Sequence, residues 1–296
     1  MDVSVIIVNY NTKKLTSDCI SSVLKFTKGV DFEVIVVDNA SGDGSQKAIK
    51  SKFPQVKLIG NKGNVGFGRA NNQGMKIAKG KYIFLLNSDA YLIENSLKKL
   101  KDAADKIENL GVLAPSLLNE DRSFQQSVGF FPHLPQVLFW MSLLDDLPGG
   151  TIIKPYHVDH DSFYRKEHEI DWATGAAMFV PAKAAREVSG FDEKIFMYGE
   201  DVDWCFRIKK AGFKIIYSPV AKIIHIGRGS MGKISKGAIL GEYQGIKYFY
   251  QKHKGALSLQ ILRLLLKIGA LARIAAFGIL GRKETAKFYA EAFKVA

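Results

Sequence analysis

In this 296-residue chain, acidic side chains and one imidazole follow directly on apolar runs. Asn87-Ser88-Asp89 closes the run Tyr82-Ile83-Phe84-Leu85-Leu86. A carboxylate at the end of a buried strand can hold a hard divalent cation, which neutralises a diphosphate and improves it as a leaving group. The same tripeptide is also an ordinary turn, because Asn, Ser and Asp bond to their own backbone. His225 follows Lys222-Ile223-Ile224; an imidazole there is a metal ligand or a structural hydrogen-bonder. Beyond it, Arg228 and Lys233 stand in a glycine-containing loop that can meet phosphate or be plain solvated surface.

Glu200-Asp201 opens a helical pattern that continues through Asp203 and Arg207. Helix dipoles favour acids in a first turn. Three carboxylates within four positions, after Phe196-Met197-Tyr198-Gly199, exceed what capping needs. One of them can take the proton of an attacking hydroxyl. Asp38 ends another apolar run and can accept from a pyrimidine N–H, or close a turn with Ser41. Lys62, Asn64 and Arg69 surround glycines 60, 63, 66 and 68 ahead of a helix, a setting suited to phosphate or ribose. The spacing is neither a Walker loop nor a dinucleotide fingerprint.

These residues need a scaffold, and the apolar periodicity supplies one. Val3–Val8, Phe32–Val37, Val56–Ile59, Lys81–Leu86 and Gly111–Ala114 read as strands, separated by helical patterns. Such alternation implies right-handed crossovers and a mostly parallel sheet, whose ligands bind at the carboxyl ends of its strands. Asn9, Asp38 and Asp89 all fall at that edge. The stretch from Leu118 to Glu169, with Pro132, Pro135, Pro148, Pro155 and the acidic Asp145-Asp146, reads as an irregular insertion near the acceptor side. Pattern resumes with a strand at Ala176–Val180, a helix begun at Pro181, a helix over Glu200–Ala211, and strands at Phe213–Tyr217 and Lys222–Ile226.

The formal net charge of +13 points to an anionic partner. Cys19 and Cys205 form no disulfide or zinc pattern and read as buried hydrophobes in a reducing compartment. The N-terminus starts on a strand, without the signature of a signal peptide, and no apolar run matches a membrane span. A cytoplasmic location, with contact at the inner face of the membrane as its extension, is the expectation.

In order, Ser4-Val5-Ile6-Ile7-Val8-Asn9-Tyr10-Asn11, Val37-Asp38-Asn39-Ala40-Ser41-Gly42-Asp43-Gly44-Ser45, Asn61 to Gly74, Leu85-Leu86-Asn87-Ser88-Asp89, Ala173-Thr174-Gly175-Ala176, Gly190-Phe191-Asp192-Glu193, Tyr198 to Arg207 and His225 follow one another. This ordered set resembles the inverting family 2 glycosyltransferases, in their bacterial rhamnosyltransferase-like branch, over roughly residues 2 to 235. The resemblance implies an α/β GT-A fold and single displacement with inversion at the anomeric carbon. It implies Asp201 as catalytic base, and Asp89 with His225 as ligands of Mg2+ or Mn2+. Val8, Tyr10, Asp38, Asn64, Arg69, Asn87 and Ser88 fall at the nucleotide. Trp172, Thr174, Gly175, Glu200 and Arg228 fall at the donor sugar or the acceptor. Asn87 stands where the family's metal motif has its first Asp, which removes one carboxylate from that motif.

The implied donor is a UDP- or dTDP-sugar, carrying rhamnose or a similar hexose. The implied acceptor is a saccharide or lipid-linked saccharide in cell-surface polysaccharide synthesis. The expected layout is a glycosyltransferase domain over 1–240, with a nucleotide half at 1–115 and an acceptor half at 116–240, then a basic helical extension at 241–296. That tail is rich in Leu, Ile and Ala and carries Arg263, Lys267, Arg273, Arg282, Lys283 and Lys287. It suits an anionic membrane surface, or packing on the main domain, or a homodimer contact. A nucleotidyltransferase is the competing enzyme reading, but it would place a glycine-rich, Arg-Lys loop where this chain has Asn9-Tyr10-Asn11-Thr12. A non-catalytic basic binder of membrane or nucleic acid would explain the charge but not the ordered acids, and no nucleic-acid motif is present.

Overall fold

The computed structural model describes residues 1–142, 154–227 and 235–296. Asp145, Asp146, Pro148, Arg228 and Lys233 therefore lie outside the described residues. In chain order the elements are β1 (Val3–Asn9), α1 (Lys13–Phe26), β2 (Phe32–Asp38), α2 (Ser45–Lys52), β3 (Lys57–Gly60), α3 (Phe67–Ile77), β4 (Tyr82–Asn87), β5 (Ala90–Leu92), α4 (Ser96–Ala104) and β6 (Leu110–Leu118). Then come β7 (Val128–Gly129), α5 (Leu134–Met141), β8 (His168–Glu169), β9 (Trp172–Ala173), β10 (Ala177–Pro181), α6 (Ala182–Glu187), α7 (Glu200–Lys210), β11 (Lys214–His225), α8 (Lys236–His253), α9 (Ala256–Ile279) and α10 (Lys283–Val295).

Two compact units divide these elements: Met1–Val128, Asp159–Phe196 and Asp201–Gly227 form one, and Gly129–Val158, Met197–Glu200 and Arg228–Ala296 the other. The first holds a sheet in the order β3-β2-β1-β4-β10-β6-β11-β5, with β8 paired to β11. Strands β3, β2, β1 and β4 run parallel, β10 is antiparallel to β4 and β6, and β11 is parallel to β6. The fold is the mixed α/β architecture expected from the alternating pattern. Val3, Val5, Ile6 and Ile7 are all wholly buried. A strand covered on both faces must be apolar at consecutive positions rather than alternate ones. The parallel register sets Asn9 beside Asp38 and Val8 beside Asn87, so the β1, β2 and β4 ends lie level.

Three sequence expectations change. The runs at 213–217 and 222–226 are one strand, β11, not two. Tyr217 pairs with Ala114 and Lys222 with Ser116, so the residues around Pro219 bulge out of the ladder. Proline has no N–H for a ladder bond, and a bulge accommodates it without ending the strand. The 118–169 stretch is not uniformly irregular, since α5 starts with Pro135 in its first turn, where a missing N–H costs nothing. The third change concerns Arg273, one of the tail's basic residues, for which the sequence leaves membrane contact, packing and a dimer contact open. It is buried, and its Nη2 and Nη1 donate to the carbonyls of Trp140 (2.6 Å) and Met141 (2.9 Å). The cation thus satisfies the carbonyls at the C-terminus of α5 and sits in that helix's negative dipole end. Arg273→Met is expected to cost about 2–4 kcal/mol, because it orphans buried carbonyls. Chemical denaturation followed by tryptophan fluorescence checks this; a loss below about 0.5 kcal/mol would show that the carbonyls find other donors.

Candidate active site

The carboxyl edge of the sheet is joined by side-chain hydrogen bonds. Asp38 is fully buried at the end of β2 and accepts from Asn9 Nδ2, from Ser41 N (3.0 Å) and from Gln46 Nε2 (2.8 Å). Three of roughly four acceptor directions are thereby used within the fold. Thr12 Oγ1 lies 2.7 Å from Asn9 Oδ1 and 3.1 Å from Ser88 Oγ, which links the ends of β1 and β4. Val8 is half-buried beside them, and Tyr10 is about half exposed, an aromatic face open to a planar ring. Asn11 and Ala40, just past β1 and β2, hold positive φ angles of 54° and 63°. Such strain in residues other than glycine gathers where a site over-determines the backbone.

The glycine-rich loop is less committed to phosphate than its sequence suggests. Asn64 Oδ1 accepts from Gly66 N at 3.0 Å, closing a local turn. Arg69 pairs through Nε with Glu193 at 3.0 Å, both partly exposed. Gly66 is required at its place: its φ is +89°, and a Cβ would fall 2.7 Å from the carbonyl oxygen of Phe196.

The pair Asp89 and His225 is brought together by β5, a three-residue strand. His225 pairs with Ala90, and Ile226 N donates to the Asp89 carbonyl at 2.9 Å. Asp89 Oδ1 then lies 3.3 Å from His225 Nε2, and Asn87 Nδ2 lies 3.4 Å from the same nitrogen. The tautomer follows from Gln125. Its Nε2 donates to the His225 carbonyl and to Asn119 Oδ1, both at 2.9 Å, so its Oε1 must face the ring. Oε1 stands 2.7 Å from Nδ1, which therefore carries the hydrogen. Nε2 and Asp89 Oδ1 are then two acceptors facing each other, which calls for a cation between them, either a proton or a metal. Burial pushes the Asp89 carboxyl up, but the hydrogen bond and charge of His225 outweigh it and hold it below the usual carboxylate range.

A divalent metal fits this donor set. Ligands about 2.2 Å from an ion and at right angles stand about 3.1 Å apart, close to the observed separation. Among the described residues no group of three or more His, Cys, Asp or Glu exists to enclose an ion. Mg2+ is commonly bound through only one or two carboxylates, with water and substrate phosphate completing the shell.

Asp201 reaches the same edge from α7. Its Oδ2 accepts from Gly175 N at 3.3 Å and its Oδ1 from Val202 N at 2.8 Å. The next residue, Ala176, accepts from Asn87 N at 2.9 Å. Two consecutive residues therefore join the Asp201 carboxylate to the Asn87–Asp89–His225 cluster. Gly175 admits no side chain, since a Cβ would meet the Phe67 ring at 2.9 Å. Thr174 N is held by the Ser127 carbonyl at 2.8 Å, and Trp172 is buried at the base of this turn.

The carboxylates around Asp201 have separate settings. Glu200 is buried in the first turn of α7. Asp203 is fully buried and paired with Arg207 Nε at 2.8 Å, while Arg207 also donates to the Val188 and Gly190 carbonyls past α6. Asp203 is thus structural, and Asp201 is the carboxylate that faces the edge. Cys19 and Cys205 are both buried, and burial pushes their thiols far up, which leaves them inert at neutral pH. Of the sequence-derived residues, Asn87, Ser88, Asp89, His225, Gly175 and Asp201 converge. Asn9 joins them as the end of β1, and Gln125 and Thr12 join them without having been expected, since single polar residues outside a regular pattern give no periodic or motif signal.

The model of the family described as Glycosyl transferase family 2 matches residues 4–167. An N-acetylglucosaminyl-diphospho-decaprenol L-rhamnosyltransferase of Mycobacterium tuberculosis is 28% identical over 234 residues, covering 75% of this chain and 76% of that protein. Rhamnosyltransferase WbbL of Escherichia coli is 31% identical over 172 residues, covering 55% of this chain and 61% of the relative. Among solved structures, the mannosyltransferase PcManGT of Pyrobaculum calidifontis, in complex with GDP-Man and Mn2+, shares the GT-A fold at a TM-score of 0.60 and 16% identity, over 98% of this chain and 85% of that one. With the family match covering more than half its length, the chain belongs to glycosyl transferase family 2.

Proposed function

We propose that this glycosyltransferase works by inversion, moving rhamnose or a similar hexose from a UDP- or dTDP-sugar to a hydroxyl of a saccharide or lipid-linked acceptor. The observation that carries the reading is the short bridge from Asp201 through Gly175 and Ala176 to Asn87, Asp89 and His225. A base and a diphosphate anchor separated by so little structure can serve opposite sides of one anomeric carbon.

In this reading the open face of Tyr10 stacks on the pyrimidine, and Asp38 at the end of β2 accepts from a ring N–H. Asp89 and His225 would hold a Mg2+ or Mn2+ ion, which would supply positive charge to offset the negative charge that grows on the leaving diphosphate. Asp201 takes the acceptor hydroxyl's proton as its oxygen attacks the anomeric carbon. The bond from that carbon to the diphosphate breaks on the other side, giving the inverted glycoside and a nucleoside diphosphate. The Gly175 N–H fixes the orientation of the carboxylate for this step. Polysaccharide assembly at the cytoplasmic side of a membrane fits both the mycobacterial relative's named substrate and the chain's basic charge.

A screen of nucleotide sugars for release of nucleoside diphosphate in the presence of Mn2+ tests the donor class. Turnover is expected with a UDP- or dTDP-linked hexose and to depend on the metal. Turnover with only purine nucleotide sugars would contradict the pyrimidine reading of Tyr10 and Asp38.

A further inference from the structure

The second compact unit carries a long apolar face that nothing among the described residues covers. Helix α9 has 24 residues, and it buries Leu262, Leu266, Gly269, Ala270 and Arg273 along one side. On its opposite side Leu257, Ile261, Leu264, Ile268, Leu271 and Ile279 are exposed, the last of these 87%. Their spacing of three, four and eight residues keeps them within about 80° of one another around the axis. Ala272, Ala275 and Gly278 are exposed on the same side, and no charged residue interrupts it from Leu257 to Leu280. Single exposed apolar residues need no explanation, but a continuous uncharged face several turns long marks an interaction surface.

The charge around the face says what it meets. Residues 236–296 hold eleven Lys and Arg and only three Glu. Lys252 and Lys254 precede α9, Arg282, Lys283 and Lys287 follow it, and Arg263 and Lys267 run along one flank, half-buried. A second copy of the chain would bring these like charges together. An anionic leaflet accepts both features, with alkyl groups taking the face and headgroups the cations. No helix among the described residues is long and apolar enough to cross a membrane, so the arrangement is one of lying on the surface rather than spanning.

We infer that α9 docks in the plane of an anionic lipid surface, its Leu257–Ile279 face in the acyl boundary and the flanking Lys and Arg at the headgroups. A lipid-linked acceptor would then be met at the surface that holds it; that acceptor class rests on the functional reading above, whereas vesicle binding does not.

The test is flotation of the full chain with vesicles of phosphatidylcholine containing about one quarter phosphatidylglycerol, against pure phosphatidylcholine. Binding to the anionic vesicles is expected, weakening as salt rises. L264E/I268E, at two exposed positions, is expected to weaken it about a hundredfold or more, since each leucine-sized group withheld from the bilayer costs about tenfold. R282E/K283E is expected to weaken it by tenfold or more on anionic vesicles only. Release of nucleoside diphosphate from a donor sugar, with water as acceptor, is expected to be unchanged in both variants. Vesicle binding that survives L264E/I268E would overturn the proposal. So would absence of binding in the parent chain, or a dimer in sedimentation that L264E/I268E dissociates while no vesicles bind. Loss of donor turnover in the parent chain with vesicle binding intact would instead count against the functional reading alone.

Discussion

Asp201→Asn lowers the transfer rate by about 10²–10⁴-fold while leaving donor affinity within about twofold, the loss expected of a missing general base. The substitution is nearly isosteric. An Asn Oδ1 can still accept from Gly175 N or Val202 N, so the start of α7 and the turn at Gly175 keep their shape. What disappears is the capacity to take the acceptor proton. Steady-state transfer kinetics and titration calorimetry with the donor separate the two effects, because kcat falls and the dissociation constant does not. A variant with kcat within threefold of the parent would remove Asp201 from the chemistry. Asp203→Asn forms the contrast: its carboxylate is paired with Arg207 in the interior, so it is expected to lower thermal stability first.

The second large effect concerns the diphosphate anchor. Chelation, or H225A, is expected to weaken nucleoside diphosphate binding by a hundredfold or more. Without a cation, Asp89 presents its negative charge directly to the phosphates, so the anchor turns repulsive. Q125L is expected to be intermediate, with a 10–100-fold loss of metal affinity, because it touches no ligand atom but frees the His225 ring and its tautomer. Calorimetric titration of Mn2+ reads this without any turnover. Equal metal affinity in Q125L and the parent would show that the ring is held by β11 alone.

Much of the sheet was legible because buried parallel strands must be continuously apolar. β1, β2 and β4 announce themselves in this way, and their ends give Asn9, Asp38 and Asn87. The contacts that make a site from these ends were not legible. β5 is three residues long, too short for any periodicity, yet it alone sets Asp89 against His225. Gln125 fixes the imidazole from a stretch with no regular pattern. The bulge at Pro219 made one strand look like two. Basic residues are read incompletely in a common way, because sequence gives the charge but not its partner. Arg69 is paired with Glu193, and Arg273 is spent on helix carbonyls. The carboxylates after Gly199 show the same limit, since nothing in their order separates the structural Asp203 from Asp201.

Anomalous diffraction from crystals grown with Mn2+ and a pyrimidine nucleoside diphosphate addresses the convergence of these groups most directly. The account predicts a single strong manganese peak about 2–2.3 Å from both an Asp89 carboxylate oxygen and His225 Nε2, bridged to the diphosphate, with the Asp201 carboxylate facing the same cavity. A peak away from both side chains, or a diphosphate bound on a different face of the sheet, would contradict it.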